Sequence, residues 1–478
     1  MASVSPGSGS RWLDFLLLAF LAFVVYNANL RLVRFDDSLP ARLLPFNLIL
    51  HHTFYLDPWI KPYLPTVPGP AGIYFVTKVG THWLSVYPVT LPVVITPLYV
   101  YPALWLSRLK VDPAAGDWRA FAVADVMEKL SASLLAALSV GVLYLALRKV
   151  SSRRTSLLLA LVYGVASSTW SISSQSLYRQ GFTELGFALL LCALLRDSES
   201  PTYAFWVGGA AALLVMNAPH YIPFALLLGV FFFLLRQPRR LWLFCVPLVI
   251  AGGLTLAYNL QYFGSVLGPH ILPRSGSRPV PYHLWDGFAG ELISPSRGLL
   301  IFMPWVPFAL WGYARAWREN KFGWERYLIL GMAIVFGLHA RLGSWWGGWC
   351  FGPRYLTDFL PLLTFFILPI WREVRARSAL RVAFGLAVAV AVWVQIVGAC
   401  YYPRGDWDWR PANVDVDHKR LWDWRDTTIS RAWRAGRAQP SLYFELWSLL
   451  EEGADSQQRG ARTSVPRPRD PRSSPCSH

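Results

Sequence analysis

Apolar stretches of membrane-spanning length alternate with short loops along this chain, and every second loop is basic. The basic loops are Arg148-Lys149 with Arg153-Arg154, then Arg236 with Arg239-Arg240, then Arg315, Arg318, Lys321 and Arg326, and last Arg372, Arg375, Arg377 and Arg381. Basic residues at the ends of spans are retained in the cytoplasm, so the alternation predicts a topology as well as a fold class. The expected fold is an all-α polytopic membrane protein with about eleven spans, several of them shorter than the usual ~20 residues, as suits helices ending at Pro or flanked by interfacial Trp and Tyr. They fall near 12–31, 126–147, 155–172, 180–195, 203–218, 221–235, 240–258, 298–314, 326–340, 357–371 and 382–401. An odd count puts the N-terminus in the cytoplasm and the C-terminus outside, with all four basic loops on the cytoplasmic face of an inner membrane. The first span, with no small-residue cleavage site after it, reads as an uncleaved anchor.

Composition agrees. The chain is 54% apolar with a mean hydropathy of +0.35, and 15% of it is charged, against about 25% in soluble domains. The net charge of +17 does not indicate nucleic acid, because it lies in short loops and the C-terminal tail and no nucleic-acid motif is visible. Orientation and attraction to anionic lipid account for it.

Within the expected transmembrane domain, 1–401, residues 32–125 form a large first outer loop with interfacial helices. It contains Tyr87 to Leu106, which is long enough to span. Pro88, Pro92, Pro97 and Pro102 argue against one regular helix there, and a crossing would invert every later loop. Further outer loops cover 259–297 and 341–356. A Trp- and Asp-rich outer segment, 402–456, follows, then a tail, 457–478, of Arg, Pro and Ser that is expected to be disordered. Cys350 and Cys400 both fall near the outer face, and nothing in their spacing requires a disulfide.

The unusual residues lie on the outer side. Asp36-Asp37 directly follows the first span, where a carboxylate can serve as general base toward a hydroxyl; the plainer reading is a cap for the helix that follows. Arg354 opens the tenth span from outside, Arg297 sits likewise at the eighth, and Arg179 is the third outer arginine. A guanidinium fork suits phosphate, whereas headgroup anchoring, or a local pair of Arg354 with Asp358, is the alternative. Trp345, Trp346 and Trp349, with Tyr355 close by, suit a sugar or an isoprenoid chain, or else an aromatic belt. Glu184 is a candidate second acid. His51-His52 with Asp57 matches no metal-site spacing, and no Walker A, GxSxG, HExxH or GxGxxG motif occurs.

Several strings together resemble the C-type (GT-C) glycosyltransferase fold, in particular bacterial relatives of protein O-mannosyltransferases and lipid A aminoarabinose transferases. They are DDSLPARLLPF (36–46), SVYPVTLP (85–92), YNLQYFGSVLG (258–268), SPSRGLL (294–300), SWWGGWCFGPRYL (344–356) and RLWDW (420–424). The resemblance implies an inverting transfer of a sugar from a polyprenyl-phosphate carrier to a glycan, lipid or protein acceptor on the outer face. It implies that Asp37, with Asp36 beside it, activates the acceptor or holds a divalent metal, and that Arg354, Arg297 and Arg179 meet the carrier phosphate. The chain departs from the pattern in its acidic pair, which in the family is often Asp-Glu and here is Asp36-Asp37 followed by Ser38, and at Tyr178-Arg179-Gln180, where an outer His is expected. Two rivals stand beside this reading. A transporter or carrier-binding protein for lipid-linked saccharides needs the arginines and aromatics but not Asp37, and a structural partner of an envelope-assembly complex does not need Arg354.

Overall fold

The computed structural model describes residues 8–62, 64, 73–235, 238–270, 283–321, 323–403, 405–449 and 451. The expected tail at 457–478 and residues 271–282 of the loop at 259–297 lie outside them. The described chain is helical apart from one short antiparallel pair, β1 (Val76–Val79) and β2 (His82–Ser85). The first half runs α1 (Ser8–Asn27), α2 (Leu39–Leu50), α3 (Asp57–Ile60), α4 (Thr90–Arg108), α5 (Trp118–Arg148), α6 (Arg153–Val165), α7 (Arg179–Leu194), α8 (Tyr203–Asn217), α9 (Ile222–Leu234) and α10 (Pro238–Phe263). The second half continues with α11 (Leu284–Ile293), α12 (Leu299–Phe302), α13 (Val306–Glu319), α14 (Glu325–Ala340), α15 (Leu360–Phe365), α16 (Trp371–Ala376), α17 (Ser378–Tyr401), α18 (Asp406–Trp409) and α19 (Thr428–Ala435). By length and composition α4, α5, α10, the helical stretch Arg354–Ala376 and α17 can each cross a membrane. Each span expected from the sequence falls on helix, but several of these helices are short: α8 has 15 residues and α9 has 13.

α1 and α5 pack antiparallel. At one end the Asp14 carboxylate accepts from Tyr144 and from Arg153, whose Nη2 is 2.6 Å away. At the other end Lys129 Nζ donates to the Tyr26 carbonyl at 2.9 Å and Ser133 Oγ to Asn27 Oδ1 at 3.3 Å. The chain therefore leaves α1 and enters α5 at the same end of the pair. The intervening segment returns to the side it left, and α4 lies on that side.

One expectation is corrected within this segment. Tyr87 to Leu106 is not broken by its prolines; α4 is a continuous helix of 19 residues. Pro88 precedes it and Pro92 sits in its first turn, where the N–H has no intrahelical partner to lose. Only Pro97 and Pro102 are interior.

α2, α4 and the first turns of α5 enclose a small core of their own, with Leu43, Phe46, Trp59, Tyr99 and Val123 buried. Each such side chain contributes about 1.5–3 kcal/mol on burial. Trp59 Nε1 donates to Asn47 Oδ1 at 2.8 Å, so the one polar atom of the indole is satisfied. A second small core joins Trp345 and Trp346 to Trp407, Val414 and Leu421 of the C-terminal segment.

Candidate active site

Asp37 owes its position to the way the chain leaves α1. Asn29 Nδ2 donates to Gln175 Oε1 at 2.7 Å, and the Arg31 guanidinium donates to the carbonyls of Ala399 and Tyr402 at 3.0 and 2.7 Å. These contacts fasten the exit strand to α17. Arg42, one turn into α2, lies between Asp125 and Glu128 of α5 at 2.6 and 2.8 Å. Glu128 also accepts from the backbone N–H of Leu177 at 3.1 Å, which sets the approach to Tyr178 and Arg179.

Asp37 does not cap α2. The Leu39 N–H is taken by the Asp36 carbonyl, and Ser38 at the N-cap makes no side-chain capping bond. The Asp37 carboxylate instead accepts from Arg354 Nη1 at 2.5 Å on one oxygen and from the Tyr87 hydroxyl at 2.8 Å on the other. Burial pushes its pKa up. The Arg354 charge and hydrogen bond, with the hydroxyls of Tyr87 and Tyr74, outweigh burial and hold it below the usual aspartate value. The same carboxylate, together with burial, raises the Tyr74 and Tyr87 phenols, burial being the larger cause.

Arg354 comes at the end of a glycine-rich loop. Gly347, Gly348 and Gly352 have φ of +75°, +70° and +88°, a region that disfavours a side chain. A Cβ on Gly352 would also come within 2.6 Å of the Phe302 ring. The turn aims Arg354 back at the end of α1. Its guanidinium lies 3.8 Å from the centroid of the Tyr178 ring and donates to the Gly347 carbonyl at 3.2 Å, leaving Nε buried and without a partner. The locally available pair with Asp358 does not form; Asp358 accepts from Tyr221 instead.

A cavity of about 860 Å³ opens here. Asp36, Asp37, Arg179, Arg354, Trp349 and Tyr355 line it. Tyr74, Tyr87, Tyr178, His220 and Asp415, none of them a site candidate from the sequence, line it too. Arg179 opens α7, and among the described residues its guanidinium has no hydrogen-bond or ion-pair partner; its carbonyl accepts from Thr183 Oγ1 at 3.0 Å and Asn217 Nδ2 at 3.1 Å.

Other candidates lie elsewhere. Arg297 is 1% exposed and its guanidinium is fully committed: it donates to Asp408 Oδ1 at 2.8 Å, to Thr428 Oγ1 at 2.9 Å and to the carbonyls of Ser296, Trp346 and Gly348. It does not line the cavity, so its expected place on a phosphate is corrected to a clamp between the Trp loop and the C-terminal segment. Trp345 and Trp346 are corrected likewise: both are buried against Trp407, and Trp346 Nε1 donates to Asp415 Oδ1 at 2.8 Å. Glu184 is wholly buried within the bundle and accepts from Tyr163 and Ser173 at 2.8 and 2.6 Å, away from the cavity lining. Asp57 accepts from the Trp83 N–H at 3.1 Å and contacts His82 Nδ1 at 3.0 Å. Cys350 and Cys400 are free thiols. Asp36 and Asp37 line the cavity, and among the described residues no cluster of three or more metal-ligating His, Cys, Asp or Glu side chains forms.

No family model matches the sequence, and no curated protein matches it. Among solved structures it is similar to the archaeal oligosaccharyltransferase AglB from Archaeoglobus fulgidus, in complex with an inhibitory peptide and a dolichol-phosphate, at 13% identity and a TM-score of 0.43. The match covers 81% of this chain, which spans about half the length of that one (55%).

Proposed function

We propose that the protein transfers a sugar from a polyprenyl-phosphate carrier to an acceptor hydroxyl, with the chemistry in the Asp37 cavity. One observation carries the reading: a single cavity holds a carboxylate kept ionised by its neighbours and, beside it, the uncommitted guanidinium of Arg179. The GT-C resemblance of the sequence strings supports the same assignment.

The acceptor hydroxyl attacks the anomeric carbon in line with the bond to the carrier phosphate. A new C–O bond forms as the C–O bond to phosphate breaks, inverting the centre. Asp37 orients the hydroxyl and takes its proton. Because Asp37 is a weak base, that transfer runs late, as the attacking oxygen becomes acidic on bonding to carbon. The electron pair leaves with the polyprenyl phosphate, where Arg179 and the free donors of Arg354 meet the developing charge. Tyr178 under Arg354 and Tyr87 on Asp37 hold both groups at the required angle. Trp349 and Tyr355 supply faces for a sugar ring or the first isoprene units.

The test is turnover of a synthetic polyprenyl-phosphate sugar by purified protein, compared with Asp37→Asn. Transfer by the wild type and its loss in the variant, with carrier binding kept in both, is expected. Equal transfer by both removes Asp37 from the mechanism, and binding without transfer by the wild type favours a carrier-binding role.

A further inference from the structure

A second concavity lies at the opposite end of the α1/α5 pair from Asp37. Its edge is the start of α6, where Arg153 holds Asp14 near the beginning of α1. It is a half-open groove of about 590 Å³ between α6, α16 and α17. Trp371 Nε1 donates to Thr155 Oγ1 at 3.2 Å and ties one wall to the other. Leu158, Val162, Val374, Phe384 and Val388 make the floor.

Arg154, Arg375 and Arg381 stand on its rim, all exposed. Among the described residues none of these three guanidiniums has a hydrogen-bond or ion-pair partner. The neighbouring carboxylates are committed elsewhere, Asp14 to Arg153 and Tyr144, and Glu373 to Arg315. Basic residues at span ends are expected from orientation alone. Orientation does not require three of them to converge, unpaired, on the rim of one apolar groove. Convergent guanidiniums suit a phosphate group, and an apolar floor on a bundle that crosses a bilayer suits hydrocarbon.

We propose that this groove is a binding site for an anionic phospholipid, with acyl chain along the Leu158–Phe384 floor and the headgroup phosphate among Arg154, Arg375 and Arg381. The site is separate from the Asp37 cavity and does not depend on the transfer reaction assigned there.

The full-length protein in mild detergent is titrated with phosphatidylglycerol, phosphatidylcholine or inorganic phosphate, and the adducts are counted by native mass spectrometry. One tight phosphatidylglycerol site is expected, with phosphatidylcholine weaker and inorganic phosphate not displacing the lipid. Arg154→Gln/Arg375→Gln/Arg381→Gln is expected to weaken that site on the order of a hundredfold. Gly385→Phe is the second variant: a Cβ on Gly385 meets nothing within 4 Å, so the ring fills the groove without altering the arginines, and the lipid is expected to be excluded. Equal retention of both lipids, or unchanged phosphatidylglycerol binding in both variants, overturns the proposal. Displacement by millimolar inorganic phosphate overturns it in favour of a free-phosphate site.

Discussion

Asp37 and Arg354 stand 317 positions apart in the chain and meet at 2.5 Å. The first residue follows α1 and the second ends a glycine-rich loop, so the contact joins the opening of the sequence to a loop nearly three quarters of the way along it. The pair gives the cavity a fixed negative charge whose counter-charge is already in place.

Replacing Asp37 by Asn keeps size and the Tyr87 contact but removes the base and its charge. Turnover of a polyprenyl-phosphate sugar is expected to fall about 10²–10⁴-fold, with carrier binding little changed. Single-turnover kinetics with a labelled donor separates the two quantities.

Arg179→Gln removes a cation whose guanidinium has no hydrogen-bond or ion-pair partner among the described residues and which is felt through space by Asp358. It is expected to weaken donor binding and turnover together while leaving the fold intact. Arg354→Gln has a further consequence, since it strips Asp37 of its partner. Donor titrations of the two variants should differ in their response to pH, and identical profiles count against the assignment.

The sign of that response follows from the geometry. Asp37 is held below the ordinary aspartate value of about 3.9, so its ionised form contributes stability and base function above that value. Both are lost only as pH falls through the lowered pKa. The acid limb of activity is expected below pH ~4 in the wild type. Without Arg354, burial dominates and the limb moves up. A wild-type limb near neutrality, traced to Asp37 by its loss in Asp37→Asn, would falsify this picture.

Asp408→Asn leaves the buried Arg297 guanidinium without its counter-charge. Removing one partner of a buried pair costs about 3–5 kcal/mol, so thermal unfolding in detergent should move down by several degrees. Arg297→Met combined with Asp408→Leu should recover much of that loss, because no charge is then stranded. If the double change costs as much as the single one, the pair does more than neutralise itself.

Gly312 lets α13 touch the chain at Phe366: an added Cβ would lie 1.7 Å from that carbonyl oxygen. Gly312→Ala is expected to destabilise by about 1–3 kcal/mol. Gly209→Ala within α8, where nothing lies within 4 Å, should instead stabilise by about 0.4–1 kcal/mol in the same unfolding assay.

Much of the helical plan was legible because apolar runs near 20 residues have few other uses. α4 was misread because four prolines were weighed equally, although Pro88 and Pro92 occupy positions where a helix tolerates them. The site was half legible. Asp37, Arg354 and Arg179 stand out as charged groups beside apolar runs, but nothing local says that the first two meet. Arg297 carries the same local signal as Arg354, a lone arginine opening a span. What separates them is Asp408, 111 residues away, whose placement depends on how the C-terminal segment folds back. Tyr87 gave no signal, since a tyrosine near a membrane boundary is commonplace, and Tyr178 stood out only as a departure from the resembled pattern.

The Arg297–Asp408 clamp has a bearing on the order in which the molecule is made. Asp37 leaves the ribosome early and has its electrostatic partner only after Arg354 is synthesised. Arg297 holds the loop that carries Arg354 through the Trp346 and Gly348 carbonyls, and its own charge is matched once Asp408 arrives with Thr428 beside it. A chain interrupted before that point can insert its helices with the carboxylate and the arginine both present, yet it lacks the bracket that sets their distance. The geometry of the proposed site thus depends on Asp408 and Thr428, residues that never touch the cavity, as well as on those that line it.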